Sequence, residues 1–300
     1  MDRRFHLVGA LLVVCAALSF GAGGRAIAQI NASSLVPAQA PAKEGLAPVA
    51  DTRLWYWDTG GEGEPVVLLH PASGSGLIWL YQQPVFVKAG YRVIAYSRRS
   101  YNGSEAMARE RPGTGSGDLD ALADFLGVKK FHVVASAAGG TIATDYALSH
   151  ADRLISLTIA DNSAGVRDGD IAKAADAIRT KGFDDMPVEF RELGPSYRAA
   201  NPEGAKLWTD LAHKAVTGGD FRQRVANEIT TAKIEALKVP TLLITGDADL
   251  ITPPSIMRMV AQHIGGSEIM IAPEAGHSTY WERPELFNRA VLGFLAKHAR

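Results

Sequence analysis

The chain has 300 residues, 47% apolar and 21% charged, with a formal net charge of −1. That length can bury a sizeable core as one domain, with or without an insertion, and the near-neutral balance gives no electrostatic ground for expecting nucleic acid as a partner. Its 30 Gly and 15 Pro exclude collagen-like and disordered classes, and a single cysteine, Cys15, excludes a Cys-rich metal site and an intramolecular disulfide.

The chain opens with Arg3 and Arg4, followed by the uncharged run Leu7–Phe20. The run is too short to span a bilayer comfortably. Ala26-Ile27-Ala28 fits a small-x-small cleavage pattern, with Gln29 as the new N-terminus. Residues 1–28 therefore read as a secretory signal peptide, the other reading being an uncleaved anchor. Arg3-Arg4 is a weak twin-arginine hint. Val14 before Cys15 is not a small residue, which argues against a lipoprotein anchor. Cleavage would remove the only cysteine. A periplasmic or secreted protein with no membrane contact after cleavage is expected, free of thiols in an oxidising compartment. Residues 29–50, rich in Ala and Pro and without periodicity, read as a flexible leader.

From Thr52 the pattern changes. Arg53–Trp57 reads as a strand, then a Gly-rich turn at 60–63, then the apolar run Pro65–His70. Further runs are Tyr91–Tyr96, Phe131–Ala135, Leu154–Ala160, Pro240–Thr245 and Glu268–Ile271. Unbroken short apolar runs are what strands covered on both faces show. Asp118–Leu126, Gly140–Ser149 and Pro254–Ile264 read as helices between them. The alternation predicts an α/β fold with a mostly parallel sheet. Residues 164–238 lack strand runs and are rich in helix formers. That stretch exceeds what a crossover needs, so it predicts a helical cap over the sheet's ligand edge, with 51–163 and 239–300 as the core.

Val133-Val134 runs into Ala135-Ser136-Ala137-Ala138-Gly139-Gly140 and then a helix. A strand, a tight turn of small residues and a helix resemble the nucleophile elbow of α/β-hydrolases. Leu68–Gly74 resembles that family's oxyanion loop, and Tyr96–Ser104 its Asp-Arg-x-Gly-x-Gly-x-Ser loop. Thr245–Pro253 is similar to the loop carrying the catalytic acid. Ala275-Gly276-His277, with Glu282–Phe287, is similar to the loop and helix around the catalytic histidine. Five motifs in one order cover nearly everything from Thr52 onward.

The departures carry the chemistry. The paired glycines put Ala137 at the nucleophile position, where the family has Ser. Alanine has no lone pair to attack a carbonyl, so the standard acyl-enzyme cannot form there. Ser97, Ser100 and Asn102 also depart from the family's loop, and Pro71 replaces a Gly. Four readings fit. The chain retains an Asp249–His277 dyad that abstracts a proton or activates water without a serine ester. Alternatively Ser136 is the nucleophile, one residue early. Alternatively Ala137 is an engineered change that traps substrate. Alternatively the protein is a non-catalytic binder.

The resemblance implies that His277 is general base or acid, Asp249 its orienting partner, and Ala72 and Ala138 the backbone donors of an oxyanion hole. Asp161 is the runner-up acid. Each residue has a structural alternative: His277 as a packed loop histidine, Asp249 as a helix cap, His70 as a strand-end brace. Trp79, Tyr280 and Trp281 are candidate pocket residues, as are Tyr197, Trp208 and His213 in the insertion. Arg98-Arg99 reads as solvated or salt-bridged. The expectation is a hydrolase or lyase for a small, mostly apolar ester, lactone or dicarbonyl, with no cofactor and no metal. A cofactor-independent oxygenase is a further option. A small molecule is the expected partner.

Overall fold

The computed structural model describes residues 36–218 and 223–300. The signal peptide expected over 1–28 lies outside them, as do Cys15 and the first part of the leader. Among the described residues no helix is long and apolar enough to cross a membrane.

The elements run in chain order as follows. Strands β1 (Lys43–Val49), β2 (Thr52–Asp58) and β3 (Pro65–Leu69) precede helix α1 (Gln83–Lys88) and β4 (Arg92–Tyr96). Helix α2 (Gly115–Phe125), β5 (Phe131–Ser136), α3 (Ala138–Ser149) and β6 (Leu154–Ala160) follow. The insertion holds α4 (Gly169–Ala177), α5 (Val188–Glu192), α6 (Pro195–Ala200), α7 (Pro202–His213) and α8 (Thr231–Glu235). The chain ends with β7 (Thr241–Gly246), α9 (Pro254–His263), β8 (Glu268–Ala272), α10 (Thr279–Glu282) and α11 (Pro284–Lys297).

The eight strands form one sheet in the order β1-β2-β4-β3-β5-β6-β7-β8. β1–β2 and β2–β4 pair antiparallel and the others parallel. The mostly parallel α/β expectation is met. In β3, Val67 and Leu69 join one core with α2, α3 and α9, while Val66 and Leu68 join another with α1 and α11. Successive side chains leave a strand on opposite faces. Two covered faces therefore produce the unbroken apolar run.

The expected leader needs correction at its end. Lys43–Val49 is a strand, paired residue for residue with β2 through the turn at Ala50-Asp51. It is an edge strand: Ala47 and Val49 are buried and Leu46 is exposed. Its partner supplies the backbone hydrogen bonds, so it needs few apolar residues of its own. Gln83 ties down the preceding segment, exchanging hydrogen bonds with the Ala40 backbone at 2.8 and 2.9 Å.

The insertion between β6 and β7 is helical throughout its described elements. Its helices divide. Ile171 of α4 and Ile234 of α8 enter the core beneath α3 and α9, whereas Tyr197 of α6 and Trp208 of α7 join the opposite core. The helical insertion, α4–α6 (Gly169–Ala200) in particular, is consistent with the expected cap.

Candidate active site

Parallel strands present their C-terminal ends on one edge of the sheet. There the turn after β5 carries Ala137, the residue after β6 is Asp161, the loop after β7 carries Asp249, and the loop after β8 carries His277. In such sheets ligands bind at this edge.

Ala137 adopts φ 46° and ψ −118° as the N-cap of α3. A non-glycine residue at positive φ is strained and persists only where its surroundings hold it. Here the Ala137 N–H donates to Ala160 O at 2.9 Å, and Gly140 N–H donates to Ala137 O at 2.8 Å. The approach of strand and helix explains the neighbouring glycine: a Cβ on Gly139 would collide with the Leu69 carbonyl. Ala138 is the first residue of α3, so its N–H has no intrahelical acceptor. Ser136, one residue earlier, points elsewhere. It is fully buried, and its Oγ donates to Asp161 Oδ2 at 3.4 Å.

His277 and Asp249 are both buried and face each other. His277 Nδ1 lies 2.8 Å from Asp249 Oδ2 and 3.0 Å from Oδ1. Asp249 Oδ1 also accepts the N–H groups of Ile251 and Thr252 at 2.7 and 2.9 Å. Those bonds fix the carboxylate within its own loop; helix α9 is capped by Pro253 with no side-chain bond. A carboxylate on Nδ1 places the proton there and leaves Nε2 for chemistry. Burial alone would lower the imidazole's pKa. Asp249, then Glu192 and Asp161, outweigh it and raise it to about 9.

Asp161 lies beneath this pair. Its Oδ2 accepts from Thr279 Oγ1 at 2.9 Å and from the Thr279 N–H at 3.3 Å. Burial pushes its carboxyl well above the usual carboxylate range, against the pull of His277. Through Ser136 and Thr279 it links the elbow to the histidine loop.

The loop after β3 is braced by His70. Its ring sits 2.7 Å from Pro71 O through Nδ1, and Nε2 accepts the Arg98 N–H at 3.1 Å. Arg98 also donates to Pro71 O at 2.9 Å and stacks over Tyr101, 4.5 Å from the ring centroid. Burial, then Arg98, hold the imidazole well below its ordinary pKa. Ala72 follows on an exposed turn closed by Gly74 N–H to Pro71 O at 3.2 Å. Arg99, by contrast, is buried against Asp118 at 2.7 Å and Asp51 at 2.8 Å.

Trp79 and Tyr280 are buried in contact, ring centroids 5.0 Å apart, and Tyr280 Oη accepts from Trp208 Nε1 at 3.3 Å. Trp281 donates to Gly204 O at 3.2 Å. These aromatics join core to cap. Tyr197 is buried beside Asn201, and His213 is exposed at the last residue of α7. A groove of about 190 Å³ between Gln39, Trp57, Leu77 and Trp79 is separate from the strand-end residues.

Two acidic residues were not legible beforehand. Glu282 accepts three backbone N–H groups, from Gly194 at 2.8 Å, Gly276 at 3.0 Å and Ser278 at 3.2 Å. Burial raises it to about 7 against those donors. Glu192, the last residue of α5, is also buried. Its Oε2 accepts from Ser73 Oγ at 2.5 Å, and its carbonyl accepts the His277 N–H at 2.8 Å. Glu282 sat within a motif that gave it no role, and Glu192 lay in the insertion with no motif at all.

Sheet order, strained strand-to-helix turn and strand-end acid–histidine pair define an α/β protein of hydrolase type. The profile of the Alpha/beta hydrolase family matches residues 66–290. The chain belongs to that family. It is 25% identical over 276 residues to the 2-hydroxy-6-oxononadienedioate/2-hydroxy-6-oxononatrienedioate hydrolase of Escherichia coli O81, covering 82% of this chain and 91% of that one. The enol-lactonase of Burkholderia xenovorans LB400 superposes with a TM-score of 0.68 at 25% identity, over 84% of this chain and all of that one. A thermophilic esterase from Thermogutta terrifontis gives 0.67 at 25%, over 87% of this chain and all of that one.

Proposed function

We propose that the protein is an exported enzyme acting on a small, mostly apolar ester, lactone or dicarbonyl without a serine nucleophile. The buried His277–Asp249 contact at 2.8 Å carries the reading. His277 Nε2 is the proton-transfer atom and Asp249 orients the ring and balances its charge. Ala72 and Ala138 supply N–H groups to a developing oxyanion. Ala137 stands where the family's serine would stand, and the paired rings of Trp79 and Tyr280 are candidate substrate contacts.

A solvated serine at Ser136 would weaken a serine-free mechanism, but Ser136 is buried and turned toward Asp161. The ester, lactone and dicarbonyl choices are supported by the relatives, one a 2-hydroxy-6-oxononadienedioate hydrolase, another an enol-lactonase and a third an esterase. The test is turnover on a panel of activated esters, lactones and 1,3-dicarbonyls. His277→Ala abolishes turnover and Ser136→Ala leaves it near the parent level. Turnover that survives His277→Ala, or that disappears with Ser136→Ala, overturns the reading.

A further inference from the structure

Glu192 is a buried carboxyl that the proposed chemistry does not use. Two contacts fix its place. Its side chain accepts from Ser73, next to Ala72 on the loop after β3, and its backbone is bonded to His277. The carboxyl is thus tied to that loop while its own backbone is tied to the histidine loop, and it feels the imidazole's charge.

The strut that carries it is built for position. Residues Glu192–Gly194 cross the histidine loop so tightly that a Cβ on Gly276 would lie 2.9 Å from Glu192 O and collide with Gly194 N. Glu282 holds the crossing by accepting N–H groups from both sides of it. A merely structural acid would be poorly placed here. Burying a carboxyl is costly unless it is paired, and Ser73 offers it only one hydroxyl. The charged groups felt by Glu192 are His277, Arg191 and Asp249.

We propose that Glu192 is a catalytic base of this site, taking the proton from carbon next to a substrate carbonyl. The inference rests on the proposed function and narrows its substrate class to enolisable carbonyl compounds. In the step, the C–H bond breaks and its proton goes to a Glu192 carboxylate oxygen. The C–H electron pair forms a C=C bond, and the carbonyl pair moves onto oxygen. The Ala72 and Ala138 N–H groups and the protonated His277 receive that oxyanion. Return of the proton, or of a deuteron from solvent, regenerates both partners.

The probe is acetophenone in D2O, with methyl deuteration followed by NMR in the full-length protein. The parent accelerates exchange, Glu192→Gln reduces it 10²- to 10⁴-fold as expected for loss of a general base, and Glu192→Asp retains part of it. The His277 imidazole, titrated by NMR without probe, falls in pKa in Glu192→Gln while the thermal midpoint reports an intact fold. Exchange in Glu192→Gln equal to the parent, no exchange by the parent, or an unmoved imidazole pKa overturns the inference. If His277→Ala abolishes ester or lactone turnover while Glu192→Gln leaves exchange unchanged, this inference falls and the proposed function stands.

Discussion

The His277 N–H donates to the Glu192 carbonyl at 2.8 Å, so the cap and the histidine loop share a backbone hydrogen bond. The backbones of the insertion at Glu192 and of the histidine loop are therefore tied together. Gly276→Ala tests this. Its Cβ would meet Gly194 N and the Glu192 carbonyl, and forcing atoms into a packed contact costs about 1–3 kcal/mol. Denaturant unfolding should report that loss, and turnover should fall with it. A variant as stable and active as the parent would show that the crossing tolerates displacement.

Asp249→Asn separates orientation from charge. The amide keeps the shape but loses the anion beside Nδ1. With its largest raising influence gone, the imidazole pKa should fall from about 9 toward or past the ordinary histidine value. Turnover should drop by roughly 10²- to 10⁴-fold. NMR titration of the His277 ring reads the first effect and steady-state kinetics the second.

Stability should depend on pH through the same ring. His277 binds its proton more tightly folded, at about 9, than an unfolded histidine does at about 6.5. The native state therefore gains proton-linked stability that is full below about pH 6.5 and is lost as pH rises through about 9. The contribution is on the order of 3 kcal/mol. The gap in thermal midpoint between the parent and His277→Asn should narrow from about pH 6 to about pH 10. A gap that widens with pH would mean the ring is buried neutral.

Away from the site, Arg99 is the test of the fold's own electrostatics. Its guanidinium is buried against Asp118, which also accepts from Gln223 Nε2 at 2.6 Å. Removing one partner of a buried pair costs about 3–5 kcal/mol because the other charge remains. Asp118→Ala should lose about that much in urea unfolding, with turnover of the folded fraction unchanged. A smaller loss would mean that Asp51, the second partner at 2.8 Å, holds the charge alone.

The sequence made the central strands legible because both faces of β3, β5, β6 and β7 are covered, which forces unbroken apolar runs. It hid β1, whose pairing with β2 is imposed from outside and whose Gly45 and Pro48 read as breakers. His277 and Asp249 were legible because each sits in a short local motif. Glu192 was not. It meets Ser73 from 119 residues away, across a cap whose course no periodicity encodes. Helices α4 and α8 pack on the core opposite to the one that α6 and α7 join, a division that composition alone cannot draw.

The central claim is that the elbow is built but carries no nucleophile at Ala137. The direct measurement is labelling of the parent and of Ala137→Ser with a fluorophosphonate, read by mass spectrometry of the intact and digested protein. The account predicts no adduct on the parent and one adduct on Ala137→Ser, at position 137, accompanied by new esterase activity against p-nitrophenyl acetate. An adduct on Ser136 or Ser73 of the parent, or none on Ala137→Ser, would contradict it.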